Sequence, residues 1–169
     1  SGSATVNASS GLVRGLSAGT VTLVASSAGD ASYSASSVNQ ILTITSITPT
    51  LTITSGNRLP VDGSLSASVT TTATNGRGGA ITYAIVGGSG SATVNASSGL
   101  VRGFSAGTVT LVASSAGDSS YNASSANQVL TITPITPTLT ITSANTLPVD
   151  GSLSASVTTT ATNGRGGAI

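Results

Sequence analysis

The sequence predicts an all-β protein built from tandem β-sandwich domains, each of about seven short antiparallel strands. Three observations predict it. Residues 1–81 overlay residues 89–169 without a gap, differing only at Leu16/Phe104, Ala31/Ser119, Ser34/Asn122, Val38/Ala126, Ile41/Val129, Ser46/Pro134, Gly56/Ala144 and Arg58/Thr146. Within the 88-residue period, apolar side chains alternate with Ser and Thr at a spacing of two, the mark of a strand with one buried face. Turn signals rich in Gly, Asn, Asp and Pro interrupt that alternation about every 8 to 12 residues.

A period of this length is too long for a solenoid coil and suits a whole small β-domain. The prolines set the boundaries. Pro49, Pro134 and Pro137 stand in "TSITPTLTIT" (Thr45 to Thr54) and "TPITPTLTIT" (Thr133 to Thr142), where a fixed φ and a missing donor make a short stiff connector. Residues 46–133 then form one complete repeat, 1–45 the C-terminal half of a preceding one, and 134–169 the N-terminal half of a following one. The chain reads as a window cut from a longer array, with ends that are not biological termini and no information about a leader. In a second reading the two halves complement each other between neighbouring chains, as in donated-strand assembly.

Each element follows from the pattern. "TLTIT" alternates Leu51 and Ile53 with Thr, and "SLSASVTTTAT" turns Leu65, Ala67, Val69 and Ala73 to one side. "ITYAIV" does the same with Ile81, Tyr83 and Ile85, as does "TVTLVAS" with Val109, Leu111 and Ala113; "QVLTIT" closes the repeat with Leu130 and Ile132. Shorter strands fall at "SATV" and "GLVRG". The turns between them are "PVDG" (Pro60 to Gly63), "NGRGG" (Asn75 to Gly79), "NASSG" (Asn95 to Gly99), "SAG" (Ser105 to Gly107) and "AGD" (Ala116 to Asp118).

"SATVNASSGLVRGFSAGTVTLVASSAGD" (Ser91 to Asp118) resembles the signature half of bacterial immunoglobulin-like domains, in particular the group 2 type of invasin- and intimin-like surface proteins. That pattern runs through an "ATV" strand, an "SSGLV" turn and a strand with Ala-Gly-Thr before alternating Val, Thr and Leu. "SSYNASSANQVLTIT" resembles the ending of related tandem repeats, with Tyr121 before the last strand, and Tyr83 meets the aromatic of the third strand. The resemblance implies an Ig-like sandwich from a surface adhesin or fibre. The chain departs from it in carrying few acidic residues, against calcium-stiffened linkers.

Composition excludes several chemistries. Arg14, Arg58, Arg77, Arg102 and Arg165 are scattered singly, which gives no basic stripe for nucleic acid. Cys, His and Glu are absent and the acids are Asp30, Asp62, Asp118 and Asp150, so His-based triads, paired Glu and thiolate sites are excluded. We expect no enzyme, no catalytic, cofactor or metal site, and no membrane-spanning segment. The four Asp read as turn residues, since calcium wants six to eight oxygens and these loops offer one carboxylate each. Asn75-Gly76-Arg77 reads as a hairpin turn rather than a cell-binding tripeptide. Asn7, Asn95 and Asn122 match a weakly specific glycosylation pattern. Tyr33, Tyr83, Tyr121 and Phe104 are too few for a carbohydrate platform and read as core or corner residues. The absence of Lys excludes a Lys–Asn isopeptide bond, leaving a Thr–Gln ester at Gln40 or Gln128 as the covalent alternative.

The expected function is structural and extracellular: the stalk of a bacterial adhesin, or the body of a self-assembling surface filament for matrix, biofilm or cell-to-cell contact. Its partners are neighbouring repeats and other copies of the chain. The alternative is a loop-mediated binding module for a glycan or host receptor, with avidity from repeated loops but few aromatic or charged anchors.

Overall fold

Alternating Thr, Val and Ile favour a pleated surface with one face buried, and in the computed structural model strands form wherever that alternation runs. The structure describes residues 1–74 and 78–161, and every regular element among them is a strand. Residues 1–45 carry β1 (Ser3–Val6), β2 (Val13–Ser17), β3 (Gly19–Ser27) and β4 (Ser36–Ile44). The complete repeat carries β5 (Leu51–Ile53), β6 (Arg58–Pro60), β7 (Ser64–Ser66), β8 (Val69–Thr71), β9 (Ile81–Gly88), β10 (Ser91–Val94), β11 (Leu100–Ser105), β12 (Gly107–Ser115) and β13 (Ser124–Thr133). Beyond it lie β14 (Leu139–Ile141) and β15 (Val157–Thr159).

In the complete repeat a four-stranded sheet in the order β6-β13-β12-β9 faces a three-stranded sheet in the order β10-β11-β7, with β5 and β8 paired beside them. Leu59, Val109, Leu111, Leu130 and Ile132 of the first sheet close over Val101 of the second, and Leu65, Ala92 and Val94 pack against that cluster. One apolar core between two sheets is compatible with a β-sandwich. The core is small and aliphatic, and its register is fixed because a slip of one residue would turn Leu111 and Leu130 outward.

Three features depart from the sequence reading. The complete repeat has nine strand segments rather than about seven. "SLSASVTTTAT" is divided into β7, which pairs with β11, and β8, which pairs with β5. At the division Ala67 N–H donates to the Gly99 carbonyl and Ser68 accepts from Thr54 N–H, so the strand changes neighbour while its inward face stays continuous through Leu65, Ala67 and Val69. The third feature is β6, which lies parallel to β13 with Arg58–Pro60 against Thr131–Thr133, where only antiparallel pairs were expected. Alternation cannot announce a segment of three residues that ends in Pro; its place on the sheet edge is where a residue without a donor is tolerated.

Glycine serves one irregularity directly. The register of β9 against β12 shifts between Val109 and Thr110, opposite Gly88 at φ +128°. A side chain there would run into the Thr108 carbonyl.

Truncating Leu111 (Leu111→Ala), fully buried between the sheets, is expected to destabilise the complete repeat by about 3 kcal/mol in denaturant titration. Val129→Ala, on the exposed face of β13, should stay within about 0.5 kcal/mol of the parent.

Candidate functional site: the joint and the open half-repeats

The loop between β12 and β13 is where the complete repeat meets the residues before it. Its shape comes from Asp118, whose Oδ1 accepts from Ser120 N–H (2.7 Å) and Tyr121 N–H (2.9 Å) while Oδ2 accepts from Gly78 N–H (2.7 Å). Tyr121 is thereby pinned inward, buried, with its hydroxyl 3.1 Å from Thr74 Oγ1. The loop's outer backbone is left facing the connector. Ile47 N–H donates to the Ser120 carbonyl and Asn122 N–H to the Ile47 carbonyl, at 2.9 and 2.8 Å, a short parallel bridge.

Side chains reinforce this bridge. Asn122 Oδ1 accepts from the Ser46 hydroxyl at 2.6 Å and its Nδ2 donates to Thr48 Oγ1 at 2.9 Å. Two bonds cross to the preceding half-repeat: Ala18 N–H donates to the Ser119 carbonyl (2.9 Å), and the Ser120 hydroxyl donates to the Leu16 carbonyl (3.0 Å). The loop therefore grips the connector and the β2–β3 turn together, mostly through backbone groups.

Outside residues 46–133, residues 1–45 repeat the strands of 89–133 while residues 134–161 form only β14 and β15, and the apolar residues of both are more exposed than their counterparts. Leu59 is 3% exposed, whereas Leu147, one period later, is 56% exposed. Tyr121 is 8% exposed and its counterpart Tyr33 is 77% exposed. Val6, Val13, Val21, Leu23 and Leu42, counterparts of the apolar residues that build the complete core, line a cavity of about 90 Å³ in the half-repeat. A cleft of about 270 Å³ opens beside the joint, between Gly15, Leu16 and Ile44 on one side and Ile47 and Tyr121 on the other.

The remaining polar candidates are occupied locally. Asn7 and Asn95 turn Oδ1 back onto the amides of Ser9 and Ser10, and of Ser97 and Ser98. Asp62 and Asp150 take positive φ in their Pro-Val-Asp-Gly turns, where Gly63 and Gly151 N–H donate to the Pro60 and Pro148 carbonyls. Gln128 Nε2 donates to the Ser55 carbonyl (3.0 Å) and its Oε1 faces the Ser55 hydroxyl (3.5 Å), so a Ser rather than a Thr stands beside it. Tyr83 packs against the core and Tyr121 is buried, as expected, but Tyr33 and Phe104 are exposed and are not the core or corner residues expected, Phe104 standing on the outer side of β11 between buried Gly103 and exposed Ser105. Asn75, Gly76 and Arg77, with Arg165, lie outside the described residues. Among the described residues no three acidic or other ligating side chains gather, and no helix is long and apolar enough to cross a membrane. What the sequence reading missed is the joint itself; its signal was four of the eight differing positions, 16, 31/119, 34/122 and 46, which all fall in it. Searches against protein-family models, curated proteins and solved structures find no match to the chain.

Two expectations follow. Asn122→Ala removes both side-chain links but leaves the backbone bridge, so exchange of the Ile47 amide hydrogen should quicken roughly fivefold, with the melting of the complete repeat little changed. In the half-repeat, the amides of Ser32 and then Tyr33 hold the Asp30 carboxyl below its ordinary 3.8. A depressed folded value means the Asp30 turn is favoured above that ordinary value and loses the contribution as pH falls through the folded one. NMR titration should show Asp30 protonating below 3.8, with the Ser32 and Tyr33 amide shifts moving in the same step.

Proposed function

We propose that the chain is the repeating structural part of a long extracellular bacterial surface protein, made of tandem Ig-like β-sandwich repeats that set reach and carry load between an anchor and a tip. The observation that carries this reading is the joint. A spacer needs successive units held in one orientation, and here the β12–β13 loop fastens both the connector and the preceding turn. The sheet pattern supports the Ig-like assignment, with two facing sheets, a central β12–β13 hairpin and a tyrosine before the last strand, as in the resemblance carried by Ser91 to Asp118.

The chemistry of the surface supports the same role. Faces covered in Ser and Thr with little charge offer no basic stripe for nucleic acid, and a mechanical part needs no catalytic group. The alternative, recognition of a glycan or host receptor through the loops, is weakened because Asn95, Asp118 and Asn122 spend their polar atoms on backbone and connector. No enzymatic role belongs to this reading.

The test is small-angle scattering with electron microscopy on a protein of three complete repeats. A stiff rod is expected, each repeat adding about 35 to 45 Å if strands of ordinary length lie along it. Repeats that tumble independently, or that collapse into one globule, would overturn the spacer.

A further inference from the structure

β13 runs from the loop that grips the connector to Thr133, where the chain leaves the complete repeat. The first segment of the repeat runs beside it in the same direction. Ile47 bridges to Tyr121 in parallel, Ser55 meets Gln128, and β6 sets Arg58, Leu59 and Pro60 against Thr131, Ile132 and Thr133. The partners stand 74 residues apart at Ile47 and 73 apart at Ser55 and all along β6, so residues 47–60 follow 121–133 in nearly constant register.

Three fastenings hold the two segments together. At the entry end Ile47 exchanges backbone bonds with Ser120 and Asn122. At the exit end Thr131 N–H donates to the Asn57 carbonyl (2.8 Å) and Val61 N–H to the Thr133 carbonyl (2.9 Å), with Leu59 buried beneath them. Between the two, β5 turns its backbone bonds to β8, and there Gln128 Nε2 reaches the Ser55 carbonyl at 3.0 Å. Gln128 stands in the inward rank of β13, between Ala126 and Leu130, where alternation calls for an apolar side chain. A partly buried amide at such a place is tolerated because it is bonded, and the core has no other use for it.

We propose that residues 47–61 and β13 form a shear clamp that sets the force at which the repeat opens, with Gln128 as its middle fastening. The chain enters beside the start of β13 and leaves from its end. Tension between entry and exit therefore draws the two segments in opposite directions along their own axes. The bonds between parallel neighbours lie across that motion and are loaded together, whereas a pull at one end of the pair opens them one after another. Resistance is thus directional, high along the chain and low for a pull that lifts β6 from the exit end.

This clamp deepens the load-bearing reading and rests on it for its use, while its test reads the single repeat. The chain contains no Cys, so introduced pairs of thiols place handles at chosen points. Thr45→Cys with Ile135→Cys pulls along the chain, and Ser64→Cys with Ile135→Cys lifts β6 from β13; all three positions are exposed. Single-molecule unfolding of the 169-residue chain is expected to need several-fold more force in the first geometry. Gln128→Met, which keeps the length of the side chain and loses its bond, should quicken unfolding at fixed force roughly fivefold along the chain and leave the lifting geometry unchanged. Leu111→Ala should quicken both, because it empties the core that every route must open. Equal forces in the two geometries, or a Gln128→Met effect that is the same in both, would overturn the clamp; the comparison of geometries needs no change inside the core. A weak repeat within a stiff rod defeats the clamp alone, and a strong repeat within a floppy string defeats the spacer alone.

Discussion

A two-stranded ribbon with one apolar face cannot remove that face from water by itself, and the rest of the structure depends on what is laid against it. In the complete repeat the β12–β13 hairpin is the ribbon and the cover comes from the strands that precede it in the chain. β9 adds to one edge, β6 to the other, and β7, β10 and β11 close over the top. The parallel contact of β6 with β13 is the step that brings Leu59 over Ile132 and Val101. The β3–β4 hairpin provides the control within the same molecule: its register is that of β12–β13 residue for residue, yet its apolar side chains are only partly covered. Pairing alone makes the strands, and covering makes the core.

The scarcity of charge gives the loops a particular chemistry. With five Arg, four Asp and no Lys or Glu, turns are organised by short Asn, Asp and Ser side chains that return to the backbone two or three residues on. These bonds are local and nearly independent of salt, so one loop can keep its shape beside any neighbour. The joint depends on that. Asp118 shapes the loop from within, which frees its outer backbone for Ile47 and Ala18. The differing positions then vary the joint without touching the core. Ser34 is too short to span the two hydroxyls that Asn122 bridges, and Pro134 replaces the Ser46 hydroxyl with a fixed φ.

Much of the fold was legible because period-two alternation is a direct record of burial. Leu65, Ala67, Val69, Val109, Leu111, Leu130 and Ile132 were assigned to an inward face and lie inward. What alternation could not carry was partner choice. The change of neighbour between β7 and β8 happens without a break in the pattern, and β6 is too short and too marked by turn residues to show as a strand. The joint was hidden for another reason. Its bonds come mainly from backbone groups of Ile47, Ser119 and Ser120, which any sequence supplies, and only the clustering of differences at 16, 31/119, 34/122 and 46 pointed there.

Near-identity between repeats carries a hazard as well as an economy, because any cover fits any receiving face. Connectivity decides between them. Within a repeat the covering segment is tethered to its seat by a short stretch of chain, and such tethering gives an effective concentration of about millimolar, above that of a free competitor. The joint strengthens this preference by fixing Ile47 to the β12–β13 loop, which places β5 and β6 beside their own hairpin before another can capture them.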